Sequence, residues 1–169
     1  MPEFAIVLLC SIFGLSAAAK ATDQRAFRAT LGELGLTGAI AATAAVAVPA
    51  LEFAGAALLL PAVTRPFGAF LLLALLAAFG GAAWLARGRH IDCGCFGSVL
   101  QEELGAGTYG RIAVCAALAV YALLEADGRS LLALAALDLA CLALASAGLL
   151  AAYTLLSSIA RHRKSGLTL

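Results

Sequence analysis

The chain of 169 residues is 63% hydrophobic and 12% charged, with a formal net charge of +1 and a mean hydropathy of +1.01. A soluble domain carries about 25% charged residues, so this composition excludes a water-soluble fold, and the near-neutral charge gives no basis for a nucleic-acid partner. The apolar residues are gathered in long uncharged runs, which predicts one all-α, polytopic membrane helix bundle over residues 1–169, with the lipid bilayer as its surroundings.

Residues 4–19 form the first run, ending on Ala17-Ala18-Ala19-Lys20. The small residues look like a signal-peptide cleavage site, but Met1-Pro2-Glu3 lacks the basic stretch that such a peptide carries. The run is therefore read as a first span, short and extended by Lys20 snorkelling to the interface. Residues 20–37 interleave polar and apolar positions and predict a short interfacial helix with Thr22 or Asp23 as its N-cap. A second span follows at about 38–60, broken by Pro49 and carrying Glu52 near its middle. Pro61 and Thr64-Arg65-Pro66 predict a tight turn.

The third span covers 66–86, with 21 uncharged positions where a bilayer needs about 20. Arg87-Gly88-Arg89-His90 closes it and leads into Asp92-Cys93-Gly94-Cys95-Phe96-Gly97, two thiols one residue apart in a polar loop. The fourth span runs over 108–126, where Arg111 must snorkel or the helix must pack inward. Asp127-Gly128-Arg129 makes a turn, and a last span is expected at 139–160, with Asp138 suited to a helix N-terminus and a basic tail after it. Small residues let helix backbones approach closely, and Gly14 with Ala18, and Gly80 or Gly81 with neighbouring alanines, fit that role.

Five spans put the 20–37 loop, the cysteine loop and the C-terminal tail on one face. That face holds the nine cations Lys20, Arg25, Arg28, Arg87, Arg89, Arg111, Arg161, Arg163 and Lys164, against the two cations Arg65 and Arg129 on the other. Short basic loops stay in the cytoplasm, so the bias predicts a multi-pass membrane protein with Cys93 and Cys95 on its cytoplasmic side.

Five cysteines so scattered do not make a disulfide scaffold. Cys10, Cys115 and Cys141 fall in apolar runs, where a free cysteine packs as a small hydrophobe. Cys93 and Cys95 can close a strained, readily exchanged disulfide or chelate a soft metal such as copper, zinc or mercury, with Gly94 giving the backbone freedom that either use needs. His90 would add a third metal ligand, one short of the four that a structural zinc site takes. Thiol reactivity rises beside a cation, and the topology makes Lys20 a candidate activator; an ordinary interfacial anchor is the plainer role for it. A mid-span carboxyl costs about 3 kcal/mol to insert. Glu52 is thus a candidate proton-handling group, expected to be protonated and to act as hydrogen-bond donor or proton carrier, or to bond a neighbouring helix beside Pro49. Cys115 is a candidate resolving thiol, while Cys141 lies towards the opposite side, on the face of Asp138.

Glu52, Lys20 at the end of the first span, and Arg87-Gly88-Arg89-His90-Ile91-Asp92-Cys93-Gly94-Cys95-Phe96-Gly97 resemble the methylamine-utilisation accessory protein family MauE, which belongs with the DoxX-like four-helix membrane proteins. The resemblance covers roughly residues 1–126, and the fifth span falls outside it. It implies a thiol–disulfide accessory role, a possible oxidoreductase activity, in maturing the disulfide-rich small subunit of methylamine dehydrogenase or another exported disulfide-bearing partner, alongside a thioredoxin-like protein. A soft-metal thiolate binder or transporter and a structural subunit of a membrane redox complex are the alternative readings. The redox group would be the Cys93–Cys95 disulfide itself; no cofactor motif is present, and nothing in the sequence requires a quinone.

Overall fold

A computed structural model describes residues 2–85 and 106–124, together with residues 141, 144–146 and 148. These are helical throughout, apart from connections: α1 (Pro2–Thr22), α2 (Gln24–Glu33), α3 (Gly38–Leu58), α4 (Arg65–Leu85) and α5 (Ala106–Leu124). Three helices, over Glu3–Thr22, Gly38–Leu58 and Arg65–Leu85, are long and apolar enough to cross a membrane, and Thr108–Leu124 is a shorter apolar helix. The fold is a membrane helix bundle.

Apolar side chains from α1, α3, α4 and α5 form its interior, with Ile6, Leu9, Phe13, Leu59, Leu72, Ala119 and Ala122 among the buried residues. Large apolar residues such as Phe53, Phe67, Phe70 and Trp84 remain exposed on the outside, as expected where lipid rather than water surrounds the helices. The sequence of contacts fixes direction. Cys10 Sγ donates to the Ala56 carbonyl at 3.3 Å and Ser16 Oγ to Glu52 Oε1 at 3.3 Å, so α1 and α3 run antiparallel.

α3 and α4 form a tight antiparallel hairpin through residues 59–64. A Cβ placed on Gly68 would meet the Gly55 carbonyl oxygen at 2.9 Å and Leu58 backbone carbon at 3.0 Å, so the two backbones touch there. Gly14, Gly80 and Gly81, expected to serve close packing, have nothing among the described residues within 4 Å of such a Cβ. At the turn, Thr64 Oγ1 donates to the Leu58 carbonyl at 2.8 Å and Arg65 Nε to the Leu59 carbonyl at 3.4 Å. These donors satisfy carbonyls that the end of α3 leaves without helical partners, and a cation there complements the helix dipole. Arg65, counted from sequence as a loop charge, is consequently buried, with 1% of its surface exposed.

Two further expectations change. Pro49 lies inside one continuous helix instead of breaking it, a placement that membrane helices tolerate because neighbouring groups take up the freed backbone. α1 continues to Thr22, so Lys20 sits within the helix and turns inward instead of snorkelling outward.

α2 is a short helix between the first two spans, where one was expected. Asp23 is its N-cap, accepting from the Ala26 amide at 3.1 Å. Its C-terminus closes with Leu36 N–H on the Leu31 carbonyl and Gly35 N–H on the Gly32 carbonyl, both at 2.9 Å, with Gly35 at φ +90°. That paired closure needs a left-handed residue, which glycine supplies without Cβ strain. Phe27 and Leu31 bury the inner face of α2 against Ala41 and Ala45 of α3.

Most of the 139–160 span lies outside the described residues. Ser146 is fully buried, and its hydroxyl shares a 3.0 Å hydrogen bond with that of Ser11 in α1.

Candidate functional site

The polar centre of the bundle is built from residues that two helices bring together. On α1, Ser16 and Lys20 are four residues apart and so share one face. Glu52 faces them from α3. Lys20 Nζ lies 2.6 Å from Glu52 Oε1 and 2.6 Å from Ser16 Oγ, and the Ser16 hydroxyl donates to the same Oε1 at 3.3 Å. Lys20 is 1% exposed and Glu52 0%. The Glu52 carboxyl thus bonds the neighbouring helix α1 and accepts both hydrogen bonds on one oxygen. Its second oxygen, Oε2, is buried and has no hydrogen-bond partner among the described residues.

Aromatic rings complete the surroundings of the ammonium group. Phe79 of α4 presents its ring centroid 5.1 Å from Lys20 Nζ, and Phe27 of α2 lies 5.7 Å away. Both are within the roughly 6 Å at which a ring face attracts a cation. Four helices thus contribute to one cluster.

Its position along the bundle follows from chain order. Lys20 is in the last turn of α1. Phe79 precedes the end of α4 at Leu85 by six residues, about 9 Å at 1.5 Å per residue. Segment 86–105, which carries the cysteine motif, leaves from Leu85 and returns at Ala106, so the cluster lies near that end of the bundle. Thr108, two residues into α5, is also buried, and its hydroxyl has no partner among the described residues. Arg65 marks the opposite end.

Of the residues singled out from sequence, Lys20 and Glu52 are brought into direct contact. Cys93, Cys95 and His90, with the flanking Arg87, Arg89 and Asp92, lie outside the described residues. Cys115 is buried among the apolar side chains of the core cluster, nine residues beyond the start of α5. Cys10 is half-buried and packs against that cluster, whereas Cys141, expected to pack, is exposed. Among the described residues no group of three or more histidine, cysteine or acidic side chains could hold a metal ion.

Ser16, Phe27, Phe79 and Arg65 were not anticipated. The spacing of Ser16 and Lys20 was a usable signal, since a hydroxyl one turn before a lysine shares its face. Nothing local marked the two phenylalanines among the eight in the chain, and inward-facing arginine is a product of the α3–α4 turn.

Among known proteins, no curated protein and no solved structure gives a match to this chain. The family profile described as "Methylamine utilisation protein MauE" matches residues 1–125, from the start of α1 to the end of α5 and so well over half the chain. The buried lysine–glutamate pair and the cysteine motif both fall within that stretch, and the chain belongs to the MauE family of methylamine utilisation proteins.

Proposed function

We propose that this protein is a membrane-embedded accessory factor of methylamine-utilisation type that performs thiol–disulfide exchange for an exported, disulfide-bearing partner. Cys93 and Cys95 are the redox pair, working with a thioredoxin-like protein. Family membership supports the accessory role. The observation that carries the chemical reading is the buried Lys20–Glu52 pair near the end of the bundle from which the cysteine segment departs.

Thiol exchange can use such a group. The attacking species is the thiolate, and the sulfur that leaves must regain a proton. A carboxyl withdrawn from solvent and held against a lysine supplies a defined place for that proton in a medium where free water is scarce. The apolar thiols of Cys10 and Cys115 lack this arrangement and serve packing. Lys20 and Arg65 are both turned into the bundle, which withdraws one cation from each face and leaves the sense of the loop-charge bias unchanged. On that bias the cysteine segment faces the cytoplasm at a bacterial inner membrane, so its service to an exported partner is a relay of reducing equivalents from the cytoplasm across the membrane.

The test is capture of a partner as a mixed disulfide in intact cells. Replacing the attacking cysteine of the pair by serine should abolish the captured species, replacing the resolving one should make it accumulate, and the double replacement should leave none. Capture that persists in the double variant refutes the assignment, and stoichiometric copper(I) binding lost with Cys93→Ser, without any thiol partner, would replace it with a soft-metal role.

A further inference from the structure

The two oxygens of the Glu52 carboxyl are treated differently by the fold. Oε1 accepts from Lys20 Nζ and from the Ser16 hydroxyl, while Oε2 is buried without a partner among the described residues. Leaving a buried carboxylate oxygen unpaired forfeits its hydration with no hydrogen bond in return, so the asymmetry is costly and calls for a use.

We propose that Oε2 of Glu52 is the proton-accepting atom of the site, and that Ser16, with the rings of Phe27 and Phe79, is the positioning residue set that keeps it open. This rests on the thiol-exchange reading for the source of the proton. Ser16 is central because it bridges the pair: it accepts from Lys20 and donates to Oε1. With both donors on Oε1, the carboxyl is fixed with Oε2 turned away from the lysine. Two rings also lie within cation–π reach of the ammonium, Phe79 from α4 and Phe27 from α2. Lys20 is the charged group that the described residues set against Glu52; α2 and α4 contribute those rings.

The step itself is a proton transfer. In the reduced chain a thiol S–H bond breaks as the Oε2–H bond forms, and the thiolate and the neutral Glu52 carboxyl persist together until the thiolate attacks the partner's disulfide. The proton returns to the sulfur that leaves. No electron passes through Glu52, and Lys20 keeps its bond to Oε1 throughout.

Infrared difference spectra of the purified full chain in lipid, recorded between dithiothreitol-reduced and diamide-oxidised forms, test this directly. The expected result is a protonated-carboxyl C=O band that changes with thiol state, vanishes in Glu52→Gln, shifts or weakens in Ser16→Ala and returns in Ser16→Thr. A spectrum without a band removed by Glu52→Gln overturns the proposal, and so does Ser16→Ala matching the native band. Phe27→Leu provides a second variant should Ser16→Ala fail to fold, and it too should move the band; an unmoved band there also counts against the assignment.

A second measurement separates this inference from the reading beneath it. Dicyclohexylcarbodiimide, which attacks carboxyl groups in apolar surroundings, should modify Glu52 in the chain lacking Cys93 and Cys95, as read by mass spectrometry. Modification of Glu52 with failed partner capture leaves the proton site standing and removes the thiol role. Successful capture without modification and without the infrared band removes the proton site alone.

Discussion

Removing Lys20 while keeping Glu52 should be among the most damaging single changes in the bundle. At 2.6 Å, opposite unit charges attract by about 6 kcal/mol at an effective dielectric of about 20. Withdrawing each ion from water costs several kcal/mol, so the intact pair and a well-packed apolar replacement should differ little. One partner alone is another matter, because a buried charge is then left uncompensated, at a cost of about 3–5 kcal/mol. Lys20→Met and Glu52→Leu should each destabilise by that amount, and the double variant by only about 1–2 kcal/mol. The resulting coupling is at least about 4 kcal/mol, readable as a double-mutant cycle from reversible unfolding in bicelles. Single effects that simply add, within about 0.5 kcal/mol, would refute the view that the two charges hold each other in the bundle.

Other consequences follow from the same geometry. Gly68→Ala should destabilise by about 1–3 kcal/mol, since its Cβ would press on backbone atoms that cannot yield. Gly55→Ala should cost less, because its nearest neighbour is the flexible Leu72 side chain; equal thermal shifts for the two would contradict this. Asp23→Ala should cost about 1 kcal/mol by uncapping α2, detectable as faster amide exchange confined to that helix. Cys115→Ala should leave mixed-disulfide capture unchanged, as a thiol seated among apolar side chains has no part in exchange; loss of capture in a folded variant would assign it a resolving role. A membrane-impermeant maleimide applied to intact cells should fail to label Cys93 and Cys95, and ready labelling from outside would reverse the proposed orientation.

Much of this protein was legible in the chain itself. Apolar runs long enough to cross a bilayer define helices without reference to any other part of the molecule, because in lipid each segment must satisfy its backbone internally. The locations of α1, α3, α4 and α5, and Asp23 as the cap of α2, are local consequences of that rule and of N-cap chemistry. Cys93 and Cys95 and the family resemblance are equally local, carried by a short motif.

What the tertiary structure decided is which buried polar groups meet. Lys20 and Glu52 were each visible as unusual, but one was expected at the interface and the other alone in mid-span. Their pairing depends on the antiparallel packing of α1 and α3 and on how far α1 continues, and neither is encoded in the local composition of either helix. The same holds for the backbone contact at Gly55 and Gly68, which arises from the crossing of two helices, and for the rings of Phe27 and Phe79 converging on one ammonium from different elements. Hydrophobic length sets where a membrane chain becomes helical; the placement of its few costly charges is settled only when the helices pack, since a buried charge must find its partner across a helix interface.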